Sequence, residues 1–459
     1  MTIQRCSLIL LEEENGGIYI GVHQVVRDVI QALMKNYPKS VHHDAVSGAI
    51  TAFSQYIGDS LPENQWLDIN TVAQTTRVAP HLKCLIMKIE NYISKQSIPP
   101  INRTEMLKLG QTCAHHCDFN SARKYYEYSL KTFLQKNGTD HLAVATTCIY
   151  LGSVYQTLGE YEKAKKFHQQ SLNIRLKKLE PDHVKIANSY THLGSVFQKL
   201  GDFEQAKELH HQALKIYLEK LGPEYVDVAT SYNNLGSVYQ ELGYFEQAKE
   251  FYHQALNIYL EKLGPEHDNV AVSYSNLGSV HEDLGEFEQA KQFHHLALAI
   301  QLKKLGPEHI NVATSCSDLG SVYQKLGDFK QAKKFHHRDI NITLKKLGSK
   351  HVNVAISCSN LGSFYEEVGE FEEAKKFHHR ALDIQLKKLG PDHVNVASSY
   401  SYLGSVYQKL CDFEQAEKFH HHALDIELKK LGPEHVNVAI SYGNLGSVYE
   451  EIGEFEEAK

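Results

Sequence analysis

Two amphipathic stretches share the segment from Asp227 to Pro265. Val228, Tyr232, Leu235, Gly236 and Tyr239 fall at helical spacing, which predicts a first helix (A) over Val228–Leu242. Gly243 breaks it. Phe245, Ala248, Tyr252, Ala255, Leu256, Tyr259 and Leu260 form the apolar stripe of a second helix (B) over Phe245–Leu263. Gly264 suits a left-handed residue after that helix, Pro265 forbids its continuation, and Lys262 places a cation near its negative end. Gly236 and Ala248 lie one on each helix, a small-residue pair that predicts close approach of the two backbones. Asp202 and Asp328, followed three residues later by Gln205 and Gln331, predict helix N-caps.

This pattern recurs without insertion. A Leu-Gly pair stands at Leu109-Gly110, Leu151-Gly152, Leu193-Gly194, Leu235-Gly236, Leu277-Gly278, Leu319-Gly320, Leu361-Gly362, Leu403-Gly404 and Leu445-Gly446, always 42 residues apart. A fixed period of that size marks a solenoid, in which each helix pair leaves an apolar face for the next to cover. The array spans residues 101–459, as eight full units and a ninth that stops at Lys459 just inside its helix B. That stop reads as an incomplete chain, and the uncovered last helix offers a surface for self-association. Substitutions within one slot report packing: Cys148, Cys316 and Cys358 stand where other units hold Tyr190, Tyr232, Tyr274, Tyr400 and Tyr442. Asp339 replaces the alanine seen as Ala255, Ala297 and Ala381, and Ser349-Lys350 replaces Pro-Glu in the same unit. A carboxylate at a close-packed site costs about 1–3 kcal/mol unless hydrogen-bonded, so the unit around 319–350 is expected to be the weakest joint.

The framework residues, for one unit Leu403-Gly404, Tyr407, Ala416 and Ala423, resemble the tetratricopeptide repeat (TPR). The 42-residue step, the long second helix and the linker Leu263-Gly264-Pro265-Glu266-His267 are similar to the kinesin-light-chain and nephrocystin type. The resemblance implies an all-α fold, a right-handed superhelix whose concave face is lined by the A helices and receives a peptide or protein. Cys113 and His281 depart from it where an aromatic follows Leu-Gly, as do Cys117 and Cys411 where a turn glycine is usual.

The first hundred residues differ. Leu8–Glu12 and Ile18–Val22 read as strands joined by Glu14-Asn15-Gly16-Gly17, followed by a helical stretch, Gln24–Lys35. The segment from Gly21 to Ile30 resembles the end of the winged-helix part of NB-ARC-type STAND NTPases that carry TPR arrays, and Trp66 and Ala79-Pro80-His81-Leu82 fit their helical connector. Residues 1–100 are therefore expected to be a small α+β winged-helix-like remnant with a connector. The phosphate-binding motif of those ATPases, G-x-x-x-x-G-K-[ST], does not occur in these residues.

Charge and composition remove other function classes. A net charge of −7 supplies no field for nucleic acid or anionic lipid. The apolar run Cys6–Leu11 is too short for a signal peptide, and no run reaches the roughly 18 apolar residues of a membrane helix. A cytoplasmic protein is expected. Histidine is abundant, at 28 residues. His210-His211, His294-His295, His336-His337, His378-His379 and His420-His421-His422 recur in register on helix B, but adjacent helical residues diverge by about 100° and cannot chelate one ion. The first histidine of each pair shares its slot with Tyr126 and Tyr252, which predicts half-buried packing between repeats and a ladder that responds to pH. Cys113-Ala114-His115-His116-Cys117 places two cysteines on one helical face without an evident fourth ligand. Leu-Gly-Ser recurs too often to mark a nucleophile. No catalytic residue, metal ligand or cofactor is assigned.

The polar residues flanking Leu-Gly remain as the candidate site: Asn233, Asn234, Gln240, Asn276, Glu282, Gln324, Asn360, Glu366, Gln408 and Asn444. Amides bond an extended backbone in both directions. The lining is mixed and slightly acidic, which favours a neutral or basic segment. The reading is a non-catalytic protein-interaction scaffold that binds a peptide or protein in the groove and serves as the sensor arm of a STAND-type signalling protein. A kinesin-light-chain-like cargo adaptor is the alternative, although the apolar heptads it requires ahead of the repeats are replaced by the hairpin pattern.

Overall fold

The computed structural model describes residues 10–14, 17–21, 106–107, 110–111, 113–114, 118–433 and 435–453. The expected helix Gln24–Lys35, Trp66, Ala79–Leu82 and the pair His115-His116 with Cys117 lie outside them. A hairpin forms near the N-terminus, β1 (Leu10–Glu14) paired antiparallel with β2 (Gly17–Gly21), with Leu10 opposite Gly21 and Glu14 opposite Gly17. Its strands begin and end one or two residues away from the ranges read in the sequence.

All further labelled elements are helices, which makes the described repeat region an all-α solenoid. Contacts divide the chain into two compact units, residues 1–220 and 221–459. The first holds α1 (Phe119–Asn137), α2 (Leu142–Thr157), α3 (Tyr161–Lys178), α4 (Val184–Lys199) and α5 (Phe203–Lys220). The second holds α6 (Val226–Glu241), α7 (Phe245–Leu263), α8 (Asp268–Asp283), α9 (Phe287–Leu305), α10 (Ile310–Lys325), α11 (Phe329–Leu347), α12 (Val352–Glu367), α13 (Phe371–Leu389), α14 (Val394–Lys409), α15 (Phe413–Leu431) and α16 (Val436–Ile452). Within each unit every helix packs on the next in sequence, and alternate helices touch: α2 with α4, and α6, α8, α10, α12, α14 and α16 successively. Helix B of the representative repeat spans Phe245–Leu263 as read from its stripe. Helix A begins two residues earlier than read, at Val226.

In the other repeats the linker histidine is the N-cap of helix A, whereas Tyr225 stands there in this one and makes no side-chain cap bond. His267 Nδ1 accepts the Asn269 N–H at 3.1 Å, and His141, His183, His309, His351, His393 and His435 do the same one repeat after another. Helix B takes aspartate caps as expected, Asp202 accepting from Gln205 N at 3.2 Å and Asp328 from Gln331 N at 3.1 Å. Gly264 ends helix B at φ 82°, ψ 163°. This is not the left-handed helical region predicted for it but a more extended conformation that is essentially restricted to glycine.

The glycine of the Leu-Gly pair makes room for a ring. A Cβ on Gly236 would lie 2.7 Å from the Tyr252 ring. The same relation joins Gly152 to His168, Gly194 to His210, Gly278 to His294, Gly320 to His336, Gly362 to His378 and Gly404 to His420. The leading histidine of each pair is thus fully buried rather than half-buried, at no more than 1 % exposure.

Buried polar groups bridge consecutive repeats. Ser315 donates to Gln301 Oε1 at 2.9 Å, Ser399 to Gln385 Oε1 at 2.7 Å and Ser441 to Glu427 Oε2 at 2.7 Å, while Arg175 donates to Ser189 Oγ at 2.9 Å. Asp339 is buried and accepts from Thr343 Oγ1 at 3.0 Å and from Ser357. The hydrogen bonds that the sequence reading made its condition are therefore in place. Burial nevertheless pushes its carboxyl up to about 6.

Candidate functional site

In residues 221–459 the successive A helices form one polar face, and the ten candidate residues all lie on it. Each is half-buried. On α8, Val272, Asn276, Ser279 and Asp283 follow an i, i+4, i+7, i+11 stripe, and Glu282 lies beside it, about 100° round the helix.

The structure joins several of these residues to the neighbouring repeat. Asn276 Nδ2 donates to Asn233 Oδ1 at 2.9 Å, and Asn360 Nδ2 to Ser317 Oγ at 2.8 Å. Gln240 Nε2 donates to Ser279 Oγ at 2.9 Å and to Asp283 Oδ2 at 2.6 Å. Gln408 repeats this with Ser447 and Glu451, each at 3.0 Å, and Gln324 bonds Glu367. Asn233, Gln240, Asn276, Gln324, Asn360 and Gln408, amides expected to meet a ligand, are thus already held by adjacent A helices. That fixes their direction and leaves the carbonyl oxygen of Asn276 and of Asn360 as an acceptor. The sequence reading missed these bonds and the serine partners Ser279, Ser317 and Ser447. A glutamine followed 43 residues later by a carboxylate was the signal for three of the bonds.

A second set of contacts ties this face to the B helices beneath it. Tyr252 OH donates to Gln240 Oε1 at 3.0 Å. His294 Nε2 and Glu282 Oε1 lie 2.9 Å apart, with Asp318 Oδ2 3.9 Å from His294 Nδ1. Burial pushes the Asp318 carboxyl up to about 6 and raises that of Glu366. In four of the pairs the second histidine reaches forward to the next A helix: His295 to Tyr323 OH at 2.9 Å, and His337, His379 and His421 to Tyr365, Tyr407 and Tyr449 at 3.1 Å. Histidines of the linkers and both pair slots therefore have local structural roles. Among the described residues no group of three or more His, Cys, Asp or Glu is placed to hold a metal ion. No helix among them is long and apolar enough to cross a membrane.

A model described as tetratricopeptide repeat matches residues 102–177, 146–219, 185–261, 227–301, 269–338, 353–426 and 397–459. The chain belongs to the tetratricopeptide-repeat family. Among solved structures, this TPR chain is similar to BtubC (BKLC) from P. vanneervenii, at 26% identity over 51% of this chain and 92% of that one, with a TM-score of 0.42. It is similar to the putative kinesin light chain repeats of Podosopora anserina, at 22% identity over 44% and 95% of the two chains, with a TM-score of 0.38. The apo form of the quorum sensor NprR from B. thuringiensis shares the fold over 77% of this TPR chain and 97% of its own, at 14% identity and a TM-score of 0.56. No curated protein matches.

Proposed function

We propose that the protein is a non-catalytic TPR scaffold whose A-helix face in residues 221–459 binds a peptide or protein segment. The observation that carries this reading is the row of half-buried amides, aimed by hydrogen bonds between neighbouring A helices. A preformed polar row binds at lower entropic cost than loose side chains. The site residues are Asn233, Asn234, Gln240, Asn276, Glu282, Gln324, Asn360, Glu366, Gln408 and Asn444. Residues 1–100 are proposed to form a separate module. The winged-helix resemblance of Gly21–Ile30 favours a cytoplasmic sensor arm of a STAND-type signalling protein.

The test is selection of binders from a displayed library of uncharged and charged peptides against the full chain. Selected peptides are expected to lose at least about tenfold in affinity, roughly 1.4 kcal/mol, when Asn276, Asn360 and Asn444 are changed together to alanine. Unchanged affinity would refute binding at this face.

A further inference from the structure

The A helices from α8 to α16 carry a second period, of two repeats, superimposed on the first. α8, α12 and α16 have a β-branched aliphatic residue near their start, Val272, Ile356 and Ile440, and a carboxylate pair near their end, Glu282-Asp283, Glu366-Glu367 and Glu450-Glu451. The intervening α10 and α14 have Thr314 and Ser398 in the first slot and Gln324-Lys325 and Gln408-Lys409 in the second. The hydrogen bonds keep the same beat. Gln240, Gln324 and Gln408 each donate to the acidic helix that follows, at Asp283, Glu367 and Glu451.

The aliphatic residues are the anomaly. Val272, Ile356 and Ile440 are 48%, 50% and 56% exposed, while Val270, Leu277, Val354, Leu361, Val438 and Leu445 on the same helices are buried. They stand at the head of the stripe that ends in Asp283, Glu367 and Glu451, eleven residues on, or about 16 Å along the helix. Three apolar contacts in one register, each facing a carboxylate across the same face, describe a docking surface. A neutral amide donor does not discharge a carboxylate, and the charge excludes a polyanion.

We propose that the occupant is an extended segment of a partner protein with a lysine or arginine at every second repeat and an apolar side chain beside it. This inference rests on the function proposed above and specifies the ligand. An extended chain points successive side chains to opposite edges, so one reaches the aliphatic row and its neighbour the carboxylates. It also offers its backbone to the Asn276 and Asn360 carbonyls between the rows, whereas a helix consumes its own backbone groups. Packed helices lie about 10 Å apart, so alternate A helices repeat at about 20 Å, or about six residues of extended chain.

The experiment uses the full chain and two labelled peptides of identical composition, with lysines about six residues apart in one and about three apart in the other, read by fluorescence anisotropy at low salt. The in-register peptide is expected to bind about tenfold more tightly, since three exposed ion pairs are each worth a small factor. Combining Asp283→Lys, Glu367→Lys and Glu451→Lys should abolish that preference. Combining Val272→Thr, Ile356→Thr and Ile440→Thr should weaken the in-register peptide several-fold. These side chains already occupy the same slots at Lys325, Lys409, Thr230 and Thr314, and thermal melting checks that each variant folds. Equal affinity for both spacings, or a preference that survives charge reversal, would overturn the proposal. If uncharged library peptides bind while neither lysine peptide does, the register fails and groove binding stands; if no peptide of any kind binds, both fall.

Discussion

The His336 imidazole fills the space that a Cβ on Gly320 would need, with its nearest ring atoms 2.6 Å away. The Leu-Gly rhythm exists because a glycine on helix A must leave room for a ring sixteen residues later on helix B. Gly320→Ala is therefore expected to destabilise the chain by about 1–3 kcal/mol through overpacking. Gly443, on α16, has nothing within 4 Å of its would-be Cβ. Gly443→Ala should stabilise by about 0.5–1 kcal/mol, as alanine does in an unobstructed helix. Urea denaturation of the two variants gives opposite signs if the ring contact is the cause.

The buried rings make stability depend on pH. Burial holds His168 down at about 3, and His210, His336, His378 and His420 at about 4, against 6.5 for a free ring. The unfolded chain therefore binds more protons than the folded one between about pH 6.5 and 4. The contribution is fully present above that window and lost as pH falls through it, on the order of 3 kcal/mol per ring. The urea midpoint should fall steadily from pH 7.5 to 5. His336→Tyr, which copies the Tyr252 slot, should shallow that fall, and an unchanged midpoint would show that the rings do not titrate with unfolding.

Asp339 has the opposite sign. Its folded value of about 6 lies above the unfolded 3.8, so the folded state binds the extra proton. Its contribution is most favourable below pH 3.8 and is lost as pH rises through 6. Asp339→Ala, the residue of neighbouring units, should stabilise at pH 7 by about 1–3 kcal/mol, with the gain shrinking toward pH 4. Denaturation at the two pH values checks it; a destabilised variant at pH 7 would mean that the Thr343 and Ser357 hydrogen bonds outweigh desolvation.

Cys411 holds φ 59° at a turn where Gly201, Gly243, Gly285 and Gly327 have φ between 75° and 81°. A side chain in that region costs about 1–2 kcal/mol. Cys411→Gly should recover about 0.5–1 kcal/mol after the entropy that glycine adds to the unfolded chain, measurable as a higher urea midpoint.

The period, the helix pairs and the end points of helix B were legible because each depends on neighbours within one or two turns. Phe245–Leu263 needed only its stripe and Gly264. Contacts across longer offsets were not legible in that way. The Gly236–Tyr252 pairing needs the angle between two helices, and the bond from Gln240 to Asp283 needs the stagger between repeats. His267 as a helix cap was hidden by composition, because 28 histidines invite a search for metal before a search for backbone acceptors. The candidate amides lie on the A helices, and their bonds to neighbouring repeats were not legible.

Photo-crosslinking tests the central claim most directly. A library-selected peptide carrying a photoreactive group is irradiated with the full chain, and the adducts are mapped by mass spectrometry. Adducts are expected in Asp268–Asp283, Val352–Glu367 and Val436–Ile452, the A helices that carry the exposed aliphatic residues. Adducts concentrated on the B helices, such as Phe287–Leu305 and Phe371–Leu389, would contradict binding on the A-helix face.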